Sequence, residues 1–145
     1  RTHISARYTI RFGQSEEHHS SSGIIVSTGV GSTGWLSSLF NMADGMALRF
    51  AESGARLERP ALNWEADQLV FVVREPFVSK TTGAEMVCGK ITREWPLVVK
   101  SEMPENGVIF SDGVEADFLA FNAGAMATIG LAEKKTKLVV GDVYN

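Results

Sequence analysis

"GIIVSTGVGSTGWLSS", residues 23–38, decides how the rest of this chain is read. Ile24 to Ser27 make a short apolar run with the β-branched character of a buried strand. From Thr33 the period changes, and Trp35, Leu36, Leu39, Phe40 and Ala43 follow helical spacing. Between strand and helix, the nine positions from Ser27 to Trp35 hold three glycines and four hydroxyl residues. Gly29, Gly31 and Gly34 allow backbone conformations or close approaches that a Cβ would block. Such a turn can aim backbone amides at an oxygen-rich ligand beside a helix N-terminus, with Ser32 and Thr33 adding hydroxyls and Trp35 a flat face for a base. An ordinary strand–helix connection with Trp35 in the core accounts for the same residues, and they leave both readings open. The segment is not a phosphate-binding P-loop, because it lacks the closing lysine.

Working outward, the pattern is that of a β-rich domain. In "ARYTIRF", Ala6, Tyr8, Ile10 and Phe12 alternate with Arg7, Thr9 and Arg11, as a half-buried strand does. "GQSEEHHSSSG" reads as a polar loop, with His18 and His19 solvated and without metal-ligand spacing. Ser32 or Thr33 is expected to cap the helix, "ADG" to end it near Gly45, and "GMALRFAES" to form a second, weaker helical stretch. "QLVFVVRE", "EMVCGKI", "WPLVVKSE", "NGVIFSDG", "AMATIGLAE" and "KLVVGDV" read as strands between Gly, Pro and Asn signals. The fold class expected is mainly β within α+β: two antiparallel sheets and one principal helix after the glycine-rich turn.

Composition narrows the function. The chain has 145 residues, 44% of them apolar and 21% charged, which suits one domain with an ordinary core. A net charge of −3 with no basic block argues against a nucleic-acid backbone as the main partner. No apolar run approaches the roughly 18 residues of a membrane span, and no signal peptide is expected. A lone Cys88 inside "MVCGKI" reads as a buried structural thiol and fits a reducing compartment. There is no initiator Met and the first strand begins abruptly, so the chain reads as a piece of a longer protein. Arg74 and Glu75, after "LVFVV", read as an ion pair on a rim, and Trp64 and Trp95 as packing residues.

The opening segment resembles the NAD kinase family, whose pattern there is Asp-Gly, three aliphatic residues, Ser-Thr-Pro-Thr-Gly-Ser-Thr-Ala-Tyr and a serine three positions on. "THISARYTI" is similar to the head of the same region, "GVIFSDGVE" to a family strand ending in Val-Asp-Gly, and "KLVV" to its closing strand. The resemblance runs from Ser5 to Val140, and is dense in the first 38 residues and around Asp112. Four departures stand out. Ser22 replaces the Asp before the first glycine, Gly29-Val30 replaces Pro-Thr, Trp35 replaces Tyr, and "REPFVSK" stands where a Pro-His-Ser stretch is common.

The resemblance implies a β-rich C-terminal domain spanning residues 1–145, with an N-terminal α/β domain carrying a Gly-Gly-Asp-Gly motif outside this chain. That family transfers phosphate to the 2′-hydroxyl of NAD's adenosine ribose, from ATP or sometimes polyphosphate. Carried over position by position, Thr33, Gly34, Trp35, Ser38 and Asp112 would contact NAD, with Gly31 and Ser32 forming a phosphate-contact turn and Gly113 beside Asp112. No catalytic or metal-ligating residue is assigned within the chain. ATP and Mg²⁺ would serve the full-length enzyme, the fragment alone would be inactive, and the setting would be cytoplasmic. Homo-oligomers, dimers or tetramers, are implied as well. The rival readings are a non-catalytic nucleotide-sensing or assembly module, and a kinase of the related lipid or diacylglycerol type.

Overall fold

The computed structural model describes residues 4–51, 59, 63, 65–111 and 116–135. Asp112, Gly113, Trp64 and the expected "KLVV" strand lie outside them. The described residues form a mainly β fold with antiparallel pairing throughout and a single α-helix.

β1 (Ala6–Phe12) and β2 (Ser15–Ser21) make a hairpin closed by the two-residue turn Gly13-Gln14, with Tyr8 opposite His19. β6 (Leu97–Ser101) pairs with the other edge of β1, and β9 (Met126–Ile129) with β6, giving the order β2-β1-β6-β9. The second sheet runs β3-β4-β5, from Ile24–Ser27, Leu69–Val73 and Cys88–Ile91. β7 (Val108–Phe110) and β8 (Phe118–Ala120) form a separate two-stranded ribbon, which makes the arrangement more than the two sheets expected. β8 carries no turn-bounded alternation in sequence, which is why it escapes a reading by pattern.

The core lies between the two larger sheets. Tyr8, Ile10, Leu97 and Val99 from one meet Phe71, Val73 and Ile91 from the other. Phe12 and Phe71 join the layers edge to face, with ring centroids 5.1 Å apart. Phe71 sits opposite Gly89 in the ladder, and a Cβ at Gly89 would come within 2.5 Å of the Phe71 ring and 2.9 Å of the Phe12 ring. That glycine makes room for the inter-sheet aromatic pair.

The expected loop at "GQSEEHHSSSG" is instead strand β2. It is an edge strand whose inward positions, Glu17, His19 and Ser21, are polar, so hydrophobic alternation is absent although burial alternation is present. His19, expected in solvent, is only 1% exposed. It stacks on Tyr8 at 5.6 Å, and its Nε2 lies 2.9 Å from Glu17 Oε2, off the line of a well-aligned hydrogen bond. Glu17 also accepts from the amides of Met86 (2.8 Å) and Glu85 (3.2 Å), fastening the 83–86 segment to β2. Burial works to raise the Glu17 carboxyl, but those two amides and His19 outweigh it and hold it below its ordinary value. Burial lowers His19, with Glu17 pulling the other way. Burial likewise pushes the Tyr8 phenol up to about 12, against the opposing Ser21 hydrogen bond of 2.6 Å.

Helix α1 (Trp35–Phe50) also corrects the expectation. It passes through Gly45 without a break and absorbs most of the second helical stretch. A helix interior tolerates one glycine at about 1 kcal/mol, and Gly45 does not take the positive φ that ends a helix. Only Leu36 of α1 is buried, while Met42, Met46, Leu48 and Phe50 are half-exposed or more. Cys88 is exposed rather than buried, and Trp95 is half-exposed against the Gly13 turn.

Candidate functional site

β3 ends at Ser27, and a short 3₁₀ turn, Val30–Thr33, leads through Gly34 into α1. The turn is held by its own groups. Gly31 N–H donates to Thr28 Oγ1 (3.1 Å), Ser32 N–H to the Gly29 carbonyl (3.3 Å) and Gly34 N–H to the Gly31 carbonyl (3.1 Å). Ser32 Oγ donates to the Gly29 carbonyl at 2.6 Å. Neither Ser32 nor Thr33 caps α1, whose N-cap is Gly34 with no side-chain bond. The expected cradle of open amides is therefore largely closed on itself at Gly31, Ser32 and Gly34. The glycines at 29, 31 and 34 also carry the spacing Gly-x-Gly-x-x-Gly. Here β3 pairs antiparallel with β4, so the parallel βαβ unit that gives that spacing its dinucleotide meaning is not built.

Beside the turn a cavity of about 810 Å³ opens between the end of the sandwich and the β7–β8 ribbon. Its walls are mostly apolar: Ile24 and Val26 from β3, Val99 and Ile129 from the larger sheet, Val108 and Phe110 from β7. Polar groups enter at Ser22, Thr28, Ser101, Asn106 and Ser111. Gly31 and Trp35 from the glycine-rich segment line the cavity, whereas Ser32, Thr33, Gly34 and Ser38 are not among its lining residues. Ser111 is the last described residue before Asp112, which itself lies outside the described residues.

Trp35 is 44% exposed, so it is a rim residue and not a core one. The Arg74 guanidinium carbon lies 4.6 Å from the centroid of its ring. This replaces the expected Arg74–Glu75 ion pair with a cation–π contact. Arg74 follows β4 directly and is clamped by backbone bonds on both sides: Ser22 N–H donates to its carbonyl (3.0 Å), and its own N–H donates to the Gly23 carbonyl (2.9 Å). Gly23 holds φ +106, a conformation side-chain-bearing residues rarely adopt, and so lets the chain turn into β3 at that contact. Arg74 is the site residue that sequence reasoning missed. Its signal was a cation ending the strand that pairs with the strand feeding the glycine-rich turn.

Elsewhere, Thr9, His18 and Glu102 gather on the outer face of the larger sheet. Thr9 Oγ1 donates to Glu102 Oε1 at 2.5 Å, and His18 Nδ1 lies 2.9 Å from the same oxygen. Among the described residues no group of three His, Cys, Asp or Glu side chains is placed to hold a metal ion. No helix among them is long and apolar enough to cross a membrane. No protein-family model matches the chain, and no curated protein does.

Proposed function

We propose that this chain is the NAD(H)-binding, β-rich domain of an NAD-kinase-like phosphotransferase, which makes NADP by phosphorylating the adenosine-ribose 2′-hydroxyl. One observation carries the reading: the segment that resembles the family, Gly23 to Ser38, contributes Gly23, Ile24, Thr28, Gly31 and Trp35 to one wall of the cavity. At about 810 Å³ that cavity is within the roughly 300–1,000 Å³ of ordinary small-molecule sites. A half-exposed indole at its rim suits a base, which would stack on the face opposite Arg74.

What the chain's own residues would do is bind and orient. The apolar walls exclude water from one end of the dinucleotide, Trp35 fixes the adenine plane, and Ser22 and Thr28 offer hydroxyls to the ribose. The described residues do not provide a ligand set for the Mg²⁺ that accompanies ATP, and the chain contains no Gly-Gly-Asp-Gly motif. Donor binding and removal of the ribose proton therefore fall to the α/β domain in this proposal. The exposed apolar faces of α1 and of the β7–β8 ribbon support self-association into a dimer or tetramer. The exposed free thiol of Cys88 suits a cytoplasmic, reducing setting.

Calorimetric titration of the chain with NAD, NADP and adenosine tests the reading. Saturable binding of the dinucleotides is expected. Heats no larger than dilution for all three would end it and leave the assembly module as the better account.

A further inference from the structure

We propose that Arg74, braced on the Trp35 ring, grips a phosphate group of the ligand in this cavity. The inference rests on the cavity's being a ligand site, not on its ligand's being NAD.

Among the described residues lining the cavity the charged ones are Arg7 and Arg74, with no carboxylate. Both cations line the cavity, and Arg74 is the one that lies against Trp35. No described carboxylate lies within ion-pair distance of Arg74. A half-buried guanidinium with no counter-charge among the described residues gives up hydration that an anionic ligand group can replace.

Geometry then says why the group is ready. The guanidinium carbon lies 4.6 Å from the Trp35 ring centroid, and a guanidinium carries five N–H donors in its own plane. A planar fork of that kind matches two phosphate oxygens at once. Its base is fixed by the two backbone bonds to Ser22 and Gly23, and Glu75, next in the chain, sits at φ +46. A non-glycine residue held in that region costs energy that the surrounding structure must supply, a pattern concentrated at ligand sites. The turn cannot easily take over the same task, since the amides of Gly31, Ser32 and Gly34 are bonded within it.

The test compares the parent with Arg74→Gln and Arg74→Lys, each first checked for its fold by circular dichroism and melting. Binding of NAD, inorganic pyrophosphate and adenosine is then followed by calorimetry. Arg74→Gln is expected to weaken NAD and pyrophosphate by ten- to a hundredfold and to leave adenosine unchanged. Arg74→Lys, which keeps the charge but not the fork, should fall between, and it carries the test if the glutamine variant does not fold. Pyrophosphate binding that needs Arg74 in a chain that ignores NAD would support the phosphate grip and remove the NAD reading. NAD binding indifferent to Arg74 would do the reverse. Equal losses for adenosine and NAD would reduce Arg74 to a structural prop, and a parent that binds neither NAD nor pyrophosphate would also overturn the proposal.

Discussion

Replacing Trp35 by alanine separates a nucleotide platform from a packing residue, because the two roles predict different magnitudes for two measurements. With 44% of the residue exposed, truncation removes roughly 100 Å² of buried indole surface. At about 25 cal/mol/Å² that is ~2.5 kcal/mol as an upper limit, since unfolded chains already bury part of such surface. The contact with Arg74 is part of this loss and is worth ~0.5–1 kcal/mol at an accessible site. At ~2–4 °C per kcal/mol, the variant should melt several degrees below the parent yet stay folded at 25 °C. Base stacking is worth ~1–3 kcal/mol, so affinity for NAD should drop by roughly ten- to a hundredfold. Trp35→Tyr keeps a ring of the kind found in the resembled family and should retain most of the binding. Melting temperature and calorimetric affinity on both variants are the assay. A variant losing ~3–5 kcal/mol of stability, the range for emptying a core site, while its folded fraction binds NAD normally would refute the platform role.

Three further outcomes are expected. With ATP and Mg²⁺ the chain alone should not phosphorylate NAD, and turnover above a blank, in protein free of host kinase, would show that the base was misplaced. Because His19 titrates below its ordinary 6.5 when folded, protonation favours the unfolded chain, and stability should be full above that value and decline as pH falls from it toward the folded one. A His19→Gln variant should show a flatter melting profile between pH 7 and 5, with the Glu17 contribution, lost only below the ordinary carboxyl value of 4.5, left to appear at lower pH; an unchanged profile would count against the buried ring as its source. Sedimentation should show a dimer or larger, given Met46, Phe50 and Leu119 at 56%, 81% and 69% exposure, and a monomer at high concentration would mean that those faces serve another purpose.

The contrast between β1 and β2 shows what the sequence makes legible. Tyr8 and Ile10 announce an inward face because they are apolar, whereas Glu17, His19 and Ser21 face inward with partners that only tertiary structure supplies. Hydrophobic period cannot register a face whose satisfaction is electrostatic. The helix start was legible from Trp35 and Leu36, but its end was not, because Gly45 signals a stop only with a left-handed backbone it does not adopt. At the site, Trp35 stood out as an aromatic beside a glycine-rich turn. Arg74 did not, since it lies 39 positions further on and is brought back by the pairing of Ile24 with Val73 and by its backbone bonds to Ser22 and Gly23.

The central claim, that the glycine-rich segment and the cavity behind it receive a dinucleotide, is tested most directly by a crystal structure of the chain grown with NAD. The account predicts the adenine ring inside the cavity against Trp35, with the pyrophosphate within hydrogen-bonding distance of Arg74. NAD bound at another surface, or a cavity filled by a side chain of a neighbouring copy under saturating NAD, would contradict it.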